Sequence, residues 1–169
     1  VAKAAEEAFG LERHTTITTI DGEPRSHVNR LAAGERAGPP GRRYDFVYND
    51  ALGDGAVPPP LATREFHEKI LHLLGEEGVY MTHLRDTCRG GRLVGAVVNT
   101  ARDVFPHVYA ITDRTGPASG NAAFVVVAAK RPLDPRAILE ERQAHPAFSV
   151  LDDSQIRSLR EGSGGVLLT

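Results

Sequence analysis

Two aspartates, Asp50 and Asp54, stand close together in the stretch YDFVYNDALGDGAVPPP. A carboxylate in such a place can hold a cation or accept a proton. Asp50 ends an aromatic and β-branched run that begins at Tyr44, the composition of a buried strand. Pro58, Pro59 and Pro60 remove three consecutive amide donors, so 53–60 reads as a loop. In an open α/β sheet, ligands bind beyond the carboxyl ends of the strands, which is where Asp50 would lie. Spacing alone leaves two readings open. Either the pair binds a cationic ligand or supplies a general base, or Asp50 caps a turn and Asp54-Gly55 is turn chemistry.

Three other patterns carry less. His67-Glu68…His72 resembles a zinc-protease helix, but its histidines are five apart instead of four. Five residues turn through about 140° on a helix, so the rings diverge and no metal is expected. GGRLVG (90–95) lacks the Gly-Lys-Ser/Thr ending of a phosphate loop and reads as a turn into a helix. Cys88, the single cysteine, reads as a buried or idle thiol. It can form no internal disulfide, which fits a reducing cytoplasm.

The whole chain narrows the class of function. Its 169 residues suit one domain, and 20 Lys and Arg against 22 Asp and Glu give a net charge of −2. A near-neutral chain without a basic block or any Trp offers no footprint for nucleic acid. The longest apolar runs, 94–98 and 124–129, are far short of the roughly 18 residues of a membrane span, so no membrane contact is expected. The opening VAKAAEEAFG has glutamates where a signal peptide needs an apolar centre. A small-molecule enzyme, a binding module or a structural piece of something larger remains.

Helices are expected over 1–9, 24–33, from a Thr63 cap to Leu74, 92–104, 135–143 and 153–160. Phe66, Ile70, Leu73 and Leu74 make one apolar face, and Gly75 and Gly78 close that helix. Strands are expected over 15–20 (TTITTI), 44–49, 79–84, 107–112 and 122–130. Their alternation with helices argues for an α/β fold with a mostly parallel sheet. The connection 113–121 is too short for a crossover helix, so the last two strands should pair antiparallel.

From Tyr44 to Met81 the sequence resembles the central signature of the spermidine synthase-like aminopropyltransferases. More narrowly, it resembles the bacterial spermidine-synthase-like branch, often fused to a transporter module. The matching residues are Tyr44-Asp45, Asp50-Ala51, Val57-Pro58, Leu61, Thr63-Arg64-Glu65-Phe66 and Gly78-Val79-Tyr80, with further similarity over 91–111 and 123–134. The resemblance implies a Rossmann-like methyltransferase-type sheet with an antiparallel C-terminal hairpin. It implies decarboxylated S-adenosylmethionine or S-adenosylmethionine as co-substrate, a small-molecule amine as partner, and no metal. Asp50 would be the catalytic carboxylate, and Asp21-Gly22 with Asp50-Ala51-Leu52 would line the nucleoside. Asp54 and Tyr109 would face the amine, Tyr109 having the alternative of a plain sheet tyrosine.

The sequence also departs from that pattern. A second aspartate three residues after the first is usual in polyamine-forming members; Gly53 stands there, with Asp54 one residue late. Pro59-Pro60 replaces a usual glutamate, and no G-x-G-x-x-G occurs. Residues 1–169 are therefore expected to be one partial domain, the C-terminal two-thirds of a catalytic domain lacking its first two strands and inactive alone. The alternatives are an S-adenosylmethionine-dependent methyltransferase and a degenerate non-catalytic domain. The family's strand order places 122–130 between 79–84 and 107–112. It leaves 44–49 with a bare edge, to be covered by 15–20 or by a second copy in a homodimer.

Overall fold

The computed structural model describes residues 16–34, 43–51, 57–87, 91–113, 120–134, 137 and 148–169. Helix α1 (Pro24–Ala32) starts on a proline, and the Glu23 carboxylate accepts from the Arg25 and Ser26 amides. Those two backbone bonds hold the Glu23 carboxyl below its ordinary range. Helix α2 (Arg64–Leu73) is capped by the Thr63 hydroxyl, which accepts from the Phe66 amide, and it buries Phe66, His67, Ile70 and Leu73. Helices α3 (Arg92–Val104) and α4 (Asp153–Gly162) follow, the latter opened by a capping box of Asp152 and Gln155.

Five strands form one sheet: β1 (Tyr44–Asn49), β2 (Leu74–Thr87), β3 (His107–Thr112), β4 (Asn121–Ala129) and β5 (Ser149–Val150). Their order is β1-β2-β4-β3-β5. The first pair is parallel, with Val47 opposite Tyr80 and Asn49 opposite Thr82. β4 runs antiparallel to both β2 and β3, as the short connection requires, so β1, β2 and β3 all point the same way. The expected placement of 122–130 between its two neighbours is what the structure has.

Burial alternates along the strands. Tyr80, Thr82, Leu84, Phe124, Val126, Ala128, Val108 and Ala110 are buried in the core with α2 and α3. The opposite face carries Phe46, Tyr48, Met81, His83, Tyr109 and Ile111, none of them fully buried.

Some expectations need correction. Thr16–Ile20 is not a strand; it lies exposed outside the sheet, because β-branched composition expresses fit to a pleated surface and no strand among the described residues takes it as a neighbour. β1 is the end strand among the described residues, so Phe46 and Tyr48 are exposed rather than buried. β2 begins at Leu74, not at 79, with a register shift opposite Tyr44 and Phe46. Gly78 is needed there, since a Cβ on it would lie 2.8 Å from the Tyr44 carbonyl oxygen. β5, at the other end of the sheet, is unforeseen by the sequence. The expected helices 1–9 and 135–143 lie outside the described residues, residue 137 apart.

Candidate functional site

The carboxyl end of β1 is fastened from below. Asn49 is buried; its amide nitrogen donates to the Tyr80 hydroxyl at 3.3 Å and the Leu61 carbonyl at 3.5 Å. Its amide oxygen accepts from the Ala51 backbone N–H at 3.3 Å. One side chain thus ties the turn that carries Asp50 and Ala51 to β2 and to the 3-10 turn Pro59–Leu61. Burial pushes the Tyr80 hydroxyl up to about 12, so it stays protonated and holds this network through the neutral range.

Asn49 lies opposite Thr82, so Asp50 comes to stand beside His83. Asp50 Oδ1 and His83 Nδ1 are 2.8 Å apart. The carboxylate side chain is 56% exposed and the imidazole 24%, so both reach solvent from a fixed base. Tyr48, two residues before Asp50 on the same face, has its hydroxyl raised above the ordinary tyrosine range, first by burial and then by the Asp50 charge. The result is a negative spot on a rigid strand end, suited to a cation or to an exchanging proton. Sequence reasoning identified Asp50 but not Asn49 or His83. The signal for both was the parallel register, which neither strand shows alone.

The other expected residues are placed as follows. Asp21 is exposed ahead of α1, and no hydrogen bond or ion pair joins it to Asp50; Gly22 beside it has a φ of +149°. Ala51 is half-buried on the Asn49 turn. The Tyr109 hydroxyl accepts from the Leu133 amide at 2.9 Å, anchoring the segment after β4. Leu52, Asp54 and Cys88 lie outside the described residues.

The rejected motifs have structural roles. His67 is buried and His72 exposed, so the two rings leave α2 in different directions. At the start of α3 the Val94 amide donates to Asp86 Oδ2 at 2.9 Å, so a carboxylate of the chain itself takes part of the place a phosphate would need. Thr63 caps α2, Arg64 pairs with Asp103 of α3 at 2.9 Å, and Phe66 enters the core under the Arg25 guanidinium. Among the described residues no group of three His, Cys, Asp or Glu could hold a metal ion, and no helix is long and apolar enough to cross a membrane. A groove of about 440 Å³, lined by Asn99, Arg157, Arg160, Glu161 and Gly164-Gly165, includes neither Asp50 nor His83.

No protein-family model matches the chain. A polyamine aminopropyltransferase of Vibrio vulnificus (strain CMCP6) is 29% identical over 109 residues, covering 64% of this chain and 33% of that protein. The fold is similar to the crystal structure of a probable spermidine synthase from Corynebacterium glutamicum ATCC 13032. Their TM-score is 0.72 at 18% identity, over 98% of this chain and 58% of that one. It is similar also to human methyltransferase-like protein 13 in complex with SAH, with a TM-score of 0.60 at 21% identity, over 96% and 66% of the two chains. The chain spans about a third of the curated relative's length. Over those 109 residues it is similar in sequence to a polyamine aminopropyltransferase, and it has an open α/β sheet like those of the two solved structures.

Proposed function

We propose that this chain is part of a transferase domain that moves an aminopropyl group from decarboxylated S-adenosylmethionine to a small amine, with Asp50 as the carboxylate that receives the amine. The observation that carries this reading is the position of Asp50. It stands at the carboxyl end of β1, on a turn fixed by Asn49, with more than half of its side chain open to solvent. An alkyl amine has a pKa of roughly 10.4 and is protonated at neutral pH, so it can neither attack nor be held without a negative partner. A carboxylate answers both needs. Asp21-Gly22 and Asp50-Ala51-Leu52 would line the nucleoside, and Asp54 and Tyr109 the amine, on the strength of the sequence resemblance. The partial coverage of the relatives supports reading residues 1–169 as one part of that domain.

A second reading, methyl transfer from S-adenosylmethionine, is favoured by the glycine at position 53 and by the neighbour that binds SAH. Calorimetric titration of the protein with decarboxylated S-adenosylmethionine and S-adenosylmethionine separates the two; binding of neither points to a non-catalytic domain. In a longer form that turns over, Asp50→Asn should keep nucleoside affinity and lower turnover by roughly 10²-fold or more. Undiminished turnover removes Asp50 from the mechanism.

A further inference from the structure

His83 was absent from the residues that the sequence singled out, yet it makes the one side-chain contact that Asp50 has among the described residues. The chemistry of that contact fixes the imidazole. An ionised carboxylate only accepts, so the hydrogen of this contact lies on Nδ1, and in the neutral imidazole Nε2 keeps its lone pair. Among the described residues Nε2 has no hydrogen-bond partner, and neither has Asp50 Oδ2. The two sites therefore offer two separate acceptors at the same strand end.

The surroundings leave few competitors for the imidazole. His83 faces Val125 across β4, and Val125 faces Ile111 on β3, so the row beyond it is apolar. Among the described residues its titratable or charged neighbours on this face are Asp50 and Tyr48 of β1 and the exposed Arg85 of β2. The Tyr48 hydroxyl is raised above the ordinary tyrosine range and so keeps its proton, and a guanidinium has no acceptor to offer. The imidazole thus carries the nitrogen of the group that can offer an acceptor.

We infer that His83 is a further catalytic residue, the proton acceptor of the transfer, and that Asp50 divides its work between orienting His83 and holding the ammonium. This rests on the transfer reading above. The ammonium gives one proton to His83 Nε2, while Asp50 Oδ2 accepts from another of its N–H groups. The freed lone pair forms the new N–C bond at the carbon next to sulfonium. The C–S bond breaks, its electron pair returns to sulfur, and a neutral thioether leaves. The product departs as a secondary ammonium and the imidazolium, stabilised meanwhile by Asp50, passes its proton to water. Two positive charges enter and two leave.

The test uses a longer form of the protein, with decarboxylated S-adenosylmethionine and a panel of short diamines, 1,4-diaminobutane among them. His83→Ala should lower kcat by about 10²- to 10⁴-fold with the nucleoside KM unchanged, and added imidazole should restore part of the loss. The acid limb of the wild-type pH profile should be missing from His83→Gln, a variant that keeps a polar side chain of similar size should alanine fail to fold. Undiminished turnover in both variants overturns the inference. So does a loss that imidazole does not rescue together with an unchanged pH profile, which would make His83 a positioning residue. No turnover by the wild type with any sulfonium donor and amine overturns the transfer reading itself, and is told apart by that.

Discussion

Gly95, in the first turn of α3, meets the main chain of Leu159 on α4 so closely that a Cβ on it would run into the Leu159 carbonyl oxygen. The same contact is flanked by polar links. Asn99 donates to the Ser163 hydroxyl at 3.0 Å, Arg160 donates to Asn99 at 2.6 Å, and the Leu168 amide donates to the Thr100 hydroxyl at 2.9 Å. The C-terminal segment then reaches α2, where the Leu168 carbonyl accepts from the Arg64 amide at 2.8 Å.

Gly95→Ala should therefore destabilise the protein. An alanine in a helix interior is ordinarily worth up to about 1 kcal/mol over glycine. Here it must push against backbone, and overpacking costs about 1–3 kcal/mol. Urea unfolding is expected to show a net loss of stability with an unchanged slope. A stabilised variant would mean that α3 and α4 do not approach as described.

The Thr63-Arg64-Glu65-Phe66 motif should show a graded response. Phe66 is 3% exposed, and Phe66→Ala should cost about 3–5 kcal/mol. Thr63→Ala removes the cap and a partner of Arg25, for about 1 kcal/mol. Arg64→Ala breaks pairs to Glu68 and Asp103 with the arginine half-exposed, and should cost less than about 1 kcal/mol. Thermal unfolding of the three variants checks the ranking; a loss for Arg64→Ala as large as for Phe66→Ala would contradict it.

Much of this architecture was legible because local rules decide it. The spacing of Phe66, Ile70 and Leu73 and the cap at Thr63 mark α2. The short connection after residue 112 makes β3 and β4 antiparallel. What failed depended on neighbours. Among the described residues Thr16–Ile20 has strand composition without a strand beside it, and Phe46 and Tyr48 are exposed because β1 is the end strand there. The partner of Asp50 stands 33 positions away and becomes its partner only through the register of two strands. Half of the proposed site was therefore invisible before the strands were paired.

His67 should make the fold sensitive to acid. Its ring is buried against Tyr80, Phe105 and Phe66, and among the described residues neither nitrogen has a hydrogen-bond partner. Burial pushes its pKa down from 6.5 to about 4. Between those values the unfolded chain holds one more proton than the folded one. Stability is thus full above pH 6.5, is lost as pH falls towards 4, and loses no more below that. The size is on the order of 3 kcal/mol. His67→Leu removes the titrating group and the unpaired nitrogens together, so its urea stability should fall less between pH 7 and pH 4.5 than the wild type's. Parallel losses in the two proteins would show that His67 is not the group responsible.

The final expectation concerns the end of the sheet. β1 has β2 on one side and no strand on the other among the described residues, and it exposes Phe46 (66%) and Tyr48 (55%). Of the two covers expected for this edge, Thr16–Ile20 is not a strand among the described residues; the other is a second copy of the chain. A flat apolar end strand is a template for pairing, and a lysine placed on it is an ordinary way of blocking that. The 169-residue chain should therefore self-associate in sedimentation experiments as its concentration rises. Phe46→Lys should shift it towards monomer, whereas Ile17→Lys, which removes an exposed isoleucine outside the sheet, should leave the association in place. A wild-type chain that stays monomeric, or an association indifferent to Phe46→Lys, would show that β1 is not the surface through which copies meet.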